Sequence, residues 1–409
     1  MEIVVQKFGG TSVASKSSRE KVVEKIIHKF NQGYKVLVVV SAMGKKGDFY
    51  STDTLIEMIN PKAITNKEMD LLLSCGEIIS AVVLANHLFL KGYKASVLTG
   101  SQAGIETDDN FGNSEIINIH PDKILSNLNE NKITIVTGFQ GSTINGEITT
   151  LGRGGSDITA IALAKAIKST YVEIYTDVDG VMTADPNIVA DTKVLKNMSY
   201  FEIYYLAKNG AKIIHPKAIE MAQEANIPLI IKNTFSNNEG TYIKAMDTQL
   251  ISDRRKLFNK KIITSLTYKK NKVQITIPYK DNNCDLEYLI EKITLNNINL
   301  DAINFLMNKI IFVMDMENES RLINLLEKEK FNYNLIRNCC KISAIGYQIK
   351  NSSKIITKML MALCKENVKI IQVSDLSNTF LYNTFWCLIK EEDTNKALTA
   401  LHQEFKLYT

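Results

Sequence analysis

The stretch MEIVVQKFGGTSVAS, residues 1–15, runs a short apolar strand at Ile3–Val5 into Lys7, a Gly9–Gly10 turn and Thr11–Ser12. Glycines and hydroxyls at the carboxyl end of a strand make a loop suited to a phosphate, because backbone amides can approach it closely. It is neither a P-loop, which needs Gly-Lys-Ser/Thr after a longer loop, nor a dinucleotide fingerprint with three spaced glycines. Lys7 stands where the apolar strand meets its turn, a place surface lysines rarely take.

The same grammar repeats outward from this stretch. Val36–Val40, Ile133–Val136, Val172–Tyr175 and Leu229–Ile231 read as buried strands. Val22, Val23, Ile26, Ile27 and Phe30 mark one face of a helix between the first two strands, and Ser17 with Glu20 fits a capping box at its start. The alternation predicts a parallel α/β sheet with helices on both faces. Several strands empty into small or polar residues, as at Ser41–Gly44, Thr137–Gly141 and Thr176–Gly180. Ligands of open α/β sheets sit at the carboxyl ends of the strands, so these loops together mark a site.

The bulk numbers narrow the class. A chain of 409 residues with 45% apolar content predicts two or three packed domains. A net charge of +5, spread thinly and carried mostly by lysine, gives no electrostatic case for nucleic acid. The six cysteines form no C-x-x-C pair, which fits reduced thiols in a cytoplasmic protein. The first residues do not read as a signal peptide, and no apolar run approaches a membrane span. The five isolated histidines argue against a His-based metal site.

Ser236–Lys261 is polar and reads as a connector. After it a unit of roughly seventy residues occurs twice, a period longer than a solenoid repeat. Lys272–Ile277 resembles Lys341–Ile345, Asn297–Ile303 resembles Asn367–Val373, and Ile310–Met314 resembles Phe385–Ile389. Each unit reads β-α-β-β-α-β, the ferredoxin-like motif.

The richest stretch is TLGRGGSDITA, residues 150–160. Its glycines admit close backbone approach, and Arg153 offers a planar fork for a carboxylate. Ser156 and Asp157 open an Ala-rich helix, where an N-cap role is the plain alternative. In EIYTDVDGVMTADP, residues 173–186, Asp177 and Asp179 are suited to a nucleotide or its Mg²⁺, or simply to a turn. Glu77 in CGEII reads either as a first-turn glutamate or as the counter-charge of a ligand ammonium. GAKIIHPKAI, residues 210–219, adds Lys212 and Lys217, with His215 read as structural.

Taken together, KFGGTSV (7–13), SAMG (41–44), GEIIS (76–80), TGFQG (137–141), TLGRGGSD (150–157) and TDVDGV (176–181) resemble the aspartate kinases in order and spacing, over essentially the whole chain. The resemblance implies a carbamate-kinase-like amino-acid-kinase αβα sandwich with a mainly parallel sheet, followed by two ferredoxin-like ACT modules. It implies a catalytic domain at 1–245, a connector at 246–264, and modules at 265–335 and 336–409. The reaction would be phosphorylation of the side-chain carboxylate of L-aspartate by ATP with Mg²⁺, serving lysine, threonine, methionine and diaminopimelate synthesis. Lys7 and Asp157 would be catalytic, with Asp157 holding Lys7. Ser41, Thr52, Glu77, Arg153 and Ser156 would bind aspartate. Lys7, Gly9, Gly10, Thr176, Asp177, Met182, Asp185 and Lys212 would bind the nucleotide. A homodimer or larger assembly through the ACT modules would follow; some relatives make a shorter regulatory subunit from a start inside the gene, and Met246 stands where such a start would be.

Some positions depart from that family's pattern. Met182 stands where relatives usually have Tyr, and Asn187 where they have Arg or Lys, which predicts weaker ATP binding, readable in the KM for ATP. YKDNNCDLE and KNSSKII replace the turns expected in the two modules, which puts inhibition by lysine or threonine in question. The competing readings are another kinase of the same fold, or a catalytically weakened amino-acid-sensing regulator.

Overall fold

A computed structural model describes residues 2–245, 263–278, 283–306, 308–347, 352–376 and 382–408. The chain divides into two units, Met1–Met182 with Val194–Leu257, and Thr183–Lys193 with Phe258–Thr409.

The first unit is built on an eight-stranded sheet. In chain order its strands are β1 (Ile3–Phe8), β2 (Lys35–Val40), β3 (Ala95–Leu98), β6 (Ile133–Thr137), β9 (Tyr171–Thr176), β10 (Asn197–Ser199), β11 (Leu229–Asn233) and β12 (Thr241–Lys244). A smaller sheet holds β4 (Ile105–Thr107), β5 (Ile116–Ile119), β7 (Gln140–Ser142) and β8 (Ile148–Thr150). The large sheet runs β10-β12-β11-β9-β1-β2-β6-β3. Its six strands from β11 to β3 are parallel, so their carboxyl ends emerge along one edge.

Period-two alternation divides β1 between two faces. Val4 and Phe8 join Val36, Val38, Val40, Ile133 and Ile135 in a core covered by α2 (Lys16–Asn31) and α4 (Asn66–Leu90). Lys7 alternates with them and turns toward α6 (Gly155–Ala166). Ser15, not Ser17, caps α2, its side chain accepting the Ser18 amide 3.0 Å away. The capping box expected at Ser17–Glu20 therefore starts the helix two residues late. α4 is apolar and long enough to span a membrane, but half of that apolar window is buried in the fold.

The second unit has the sheet order β14-β15-β13-β16-β18-β17. Its strands are β13 (Ile263–Pro278), β14 (Ala302–Leu306), β15 (Lys309–Asp315), β16 (Asn334–Tyr347), β17 (Ile370–Leu376) and β18 (Tyr382–Lys390). β13 and β16 pair antiparallel along their length, with register shifts between Lys269 and Gln274. Val273, Ile275 and Ile277 at one end of β13 pack with Leu289, Ile293, Leu322 and Leu326 of two helices. Ile263 and Leu266 at its other end pack with Ile355, Met359, Leu398 and Leu401 of two more. The two modules thus share their long strands, and a single cut at 335/336 would fall inside β16. Of the connector expected over 246–264, only Ile263 and Thr264 are described, and both lie in β13.

The segment Thr183–Lys193 belongs to this second unit although it follows directly on the first. Ala184 and Val189 lie in the second module's core. Thr183 bonds His402 Nε2 through its hydroxyl at 3.0 Å, and its carbonyl accepts the Leu266 amide at 2.8 Å.

Candidate active site

The site collects at the carboxyl ends of the parallel strands. β1 delivers Lys7, whose Nζ lies next to Gly9 and 2.8 Å from Asp157 Oδ1. Lys7 and Asp157 side chains are only 13% and 10% exposed, so the pair works in a screened, low-dielectric setting. Asp157 Oδ2 accepts the backbone N–H of His215 at 3.1 Å, which fixes the carboxylate from its far side. α6 begins at Gly155 with Gly154 as its left-handed N-cap (φ 75°), so Ser156 and Asp157 occupy the first turn rather than the cap itself. A side chain at Gly154 would collide with the His215 imidazole at 2.4 Å. Burial lowers the pKa of that imidazole from its ordinary value.

Loops from neighbouring strands close on this pair. The Gly44 N–H donates to Gly10 O at 2.9 Å and the Ser41 N–H to Phe8 O at 3.1 Å. A Cβ on Gly10 would meet Gly44 O at 2.4 Å, so only glycine lets the two loops lie this close. The Gly138 N–H donates to Val40 O, and Gly138 faces the Ser156 side chain. Ser41 is half-buried, and Thr52 is half-buried at the start of α3 (Thr52–Glu57).

Glu77 is not in a first helical turn. It lies in the middle of α4, 2% exposed. Its Oε1 accepts the Ala42 N–H at 2.9 Å, while Oε2 is buried with no hydrogen-bond partner among the described residues. Burial pushes this carboxyl up to about 8. A buried carboxylate with one open oxygen, tied to the 41–44 loop, is suited to receive a cation.

The nucleotide-side expectations are less uniformly grouped. Thr176 and Asp177 end β9, with Thr176 Oγ1 3.2 Å from Asp177 Oδ1 and Asp177 exposed. Asp179 accepts Asn233 Nδ2 and Ser236 Oγ, both at 2.7 Å, and these bonds lower its pKa. Met182 makes an isolated bridge with Val194. Lys212 is exposed in the loop between α7 (Tyr200–Lys208) and α8 (Pro216–Glu224), and Arg153 is exposed in the loop before α6. Asp185 is not brought into this group. It sits in the second unit, where Oδ2 accepts Tyr268 Oη at 3.0 Å and Oδ1 accepts the Asn187 backbone and side-chain amides.

A second buried carboxylate escapes the sequence reading. Glu173 is fully buried on β9, level with Gln6 of β1. Its Oε2 accepts Gln6 Nε2 at 2.8 Å and Tyr175 Oη at 3.0 Å, and its Oε1 faces Lys29 at 3.4 Å and Lys232 at 3.5 Å. This cluster ties β1, β9, β11 and α2 beneath the Lys7 loop. The available signal was a polar residue within each of two largely apolar strands, Gln6 in VVQKF and Glu173 in VEIYT.

Comparison with known proteins bears on the family and the fold. Residues 2–233 match the model of the amino acid kinase family, and residues 334–403 match an ACT domain. The chain is 38% identical over 410 residues to aspartokinase 1 of Bacillus subtilis, covering all of both chains. It is 33% identical over 430 residues to the aspartokinase of Corynebacterium glutamicum, covering all of this chain and 97% of that one. Among solved structures, E. coli aspartokinase III in complex with aspartate and ADP superimposes with a TM-score of 0.81 at 23% identity, covering 98% of this chain and 99% of that one.

Proposed function

The chain belongs to the aspartokinases of the amino acid kinase family, and we propose that the strand-end loops of its first unit carry their reaction through the residues assigned below. The reaction moves the γ-phosphate of ATP to the side-chain carboxylate of L-aspartate, giving 4-phospho-L-aspartate. It opens the synthesis of lysine, threonine, methionine and diaminopimelate.

The nucleophile is a carboxylate with an ordinary pKa near 4, already ionised at neutral pH, so no general base is required. The barrier lies in bringing it to an anionic phosphate, a problem of positioning and positive charge. Lys7 supplies that charge, and Asp157, fixed by the His215 amide, aims it. Glu77 takes the α-ammonium on its open oxygen, and Arg153 takes the α-carboxylate, which fixes the side-chain carboxylate toward Lys7. Ser41, Thr52 and Ser156 complete the aspartate contacts. Gly9, Gly10, Thr176, Asp177, Met182 and Lys212 form the nucleotide side; Asp185 is held by Tyr268 within the second unit. E. coli aspartokinase III, with its aspartate and ADP, supports this pairing of substrates.

The donor set fits Mg²⁺ delivered with ATP. Among the described residues no three His, Cys, Asp or Glu side chains group into a metal cluster, and exposed Asp177 offers one carboxylate to an ion that otherwise keeps phosphate and water ligands. When bound, Mg²⁺ shields phosphate charge. We place the enzyme in the cytoplasm, in line with its free thiols. Exposed Ile303, Phe305 and Leu306 on edge strand β14 support assembly of at least a homodimer through the ACT modules. Light scattering on the purified chain tests it, and a strict monomer would refute it. The shorter subunit read at Met246 falls outside the described residues.

The observation that carries the catalytic assignment is the buried Lys7–Asp157 pair at the end of β1. A hydroxamate trap for aspartyl phosphate tests it: the native chain with ATP, Mg²⁺ and aspartate should yield hydroxamate, and the Lys7→Ala chain should not. Equal yields would overturn the assignment.

A further inference from the structure

Asp70 lies on α4 seven residues before Glu77, two turns along the same face of the helix. It is fully buried, and among the described residues it makes no ion pair. Every acceptor contact recorded for it is short and comes from residues far away in sequence. Oδ1 accepts Thr150 Oγ1 at 2.6 Å, and Oδ2 accepts the Thr150 N–H at 2.8 Å and the Gly112 N–H at 2.9 Å. Thr150 ends β8 and leads directly into the 151–155 loop that carries Arg153 and opens α6 with Ser156 and Asp157. Gly112 belongs to the turn against which that loop lies, since a side chain on Gly152 would meet Asn113 Oδ1 at 2.6 Å.

A carboxylate buried without a cation is costly, and here three donors from two loops hold it. Its neighbour along the helix, Glu77, keeps one oxygen open. One rigid helix therefore bears both the carboxylate assigned to the α-ammonium and a carboxylate gripping the base of the loop assigned to the α-carboxylate. We infer that Asp70 is a positioning residue for aspartate: it sets the Arg153 loop at a fixed spacing from Glu77, so that the two ends of the amino-acid backbone are held together. The inference rests on the substrate roles proposed above for Glu77 and Arg153.

The test is steady-state kinetics on full-length Asp70→Asn, Thr150→Val and Thr150→Ser chains, with Arg153→Ala and the Asp70→Asn/Arg153→Ala double variant measured in parallel. An amide at position 70 keeps an oxygen for the two backbone N–H groups but meets the Thr150 hydroxyl with an N–H, so that bond has to reverse and all three bonds lose their charge assistance, which should loosen the loop. The expected result for Asp70→Asn is a KM for aspartate raised roughly 10- to 100-fold, with the KM for ATP within about twofold of native. Thr150→Val, which deletes one bond and cannot unfold the chain by burying a new charge, should raise the aspartate KM several-fold, and Thr150→Ser should restore it. The double variant should bind aspartate no worse than Arg153→Ala alone. An unchanged aspartate KM in both Asp70→Asn and Thr150→Val, or equal rises in both KM values, would overturn the inference while a raised KM in Arg153→Ala left the site assignment standing. A native aspartate KM in Arg153→Ala would instead overturn the site assignment, and the positioning role with it.

Discussion

Each unit of the chain holds a buried lysine against aspartate, and the two arrangements serve different ends. In the first unit, Lys7 at the mouth of β1 has Asp157 as its one recorded carboxylate and lies beside a glycine among strand-end loops. In the second, Lys272 is fully buried mid-strand, where β13 changes register, and is bound to both Asp301 and Asp315. Lys269 adds to Asp315 at 2.8 Å, and Lys341 lies over the Trp386 ring. The second cluster answers its charges within the unit, and Lys341 of β16, 3.9 Å from Asp301, reaches that aspartate from a second strand. The first pairs one lysine with one aspartate at the strand-end loops proposed above to receive the phosphate. Buried ion pairs do not by themselves mark a site; what matters is whether any valence is left for a ligand.

This contrast is open to direct tests. Lys7→Ala should lower kcat at least 10²- to 10³-fold in the hydroxamate assay, the loss expected from removing one preorganised charge contact, with native circular dichroism and a near-native Tm. Lys272→Met should do the reverse. It takes the close lysine from Asp301 and leaves Asp315 with Lys269 alone, both aspartates being about one third exposed, so a loss of about 2–3 kcal/mol is expected, somewhat below that for a fully buried pair, with little change in kcat at a temperature where the chain stays folded. If chemical denaturation ranked the two variants the other way, the contrast would be lost.

Glu77 gives a finer test through pH. Its carboxyl is raised from an ordinary 4.5 to about 8, so in the free enzyme it is neutral at pH 7 and has to ionise to hold an ammonium. The KM for aspartate should therefore fall as pH rises from about 6 to 8, by up to tenfold per unit, and level off above 8. Glu77→Gln should raise that KM and flatten the profile. The sign for stability is opposite. A raised carboxyl favours the folded state below pH 4.5, and that contribution is lost as pH climbs through 8. The Tm of Glu77→Gln relative to native should thus improve over the same interval, and a constant difference across it would contradict the burial of an ionisable group.

Much of this was legible in residue order. Strands such as Val36–Val40 are continuous apolar runs because both faces of a parallel sheet are covered, and their glycine-rich exits announce where ligand sits. The Lys7–Asp157 pairing came from family resemblance, and the ion pair at 2.8 Å agrees with it. What stayed hidden was set by long-range packing. Asp70 follows a polar helix start, Asn66-Lys67-Glu68, and Glu173 sits inside an apolar strand, and nothing local says that partners wait at Thr150 or Lys232. Glu77 read as an early helical residue because α4 begins eleven residues before it, without a side-chain cap bond at Thr65. The strand read at Lys272–Ile277 is the second half of one sixteen-residue strand with an irregularity between Lys269 and Lys272, so the interlocking of the modules had no local signature.

The Thr183–Lys193 segment carries a consequence for how this gene product can be divided. Ala184 and Val189 plug a recess among Ile263, Leu266 and Leu401. A polypeptide translated from Met246 onward would be born without its plug. Such a fragment, were it made, would expose an oily notch unless a longer sibling lent it the missing peptide, and a covalent insertion would then become an adhesive joint between separate molecules.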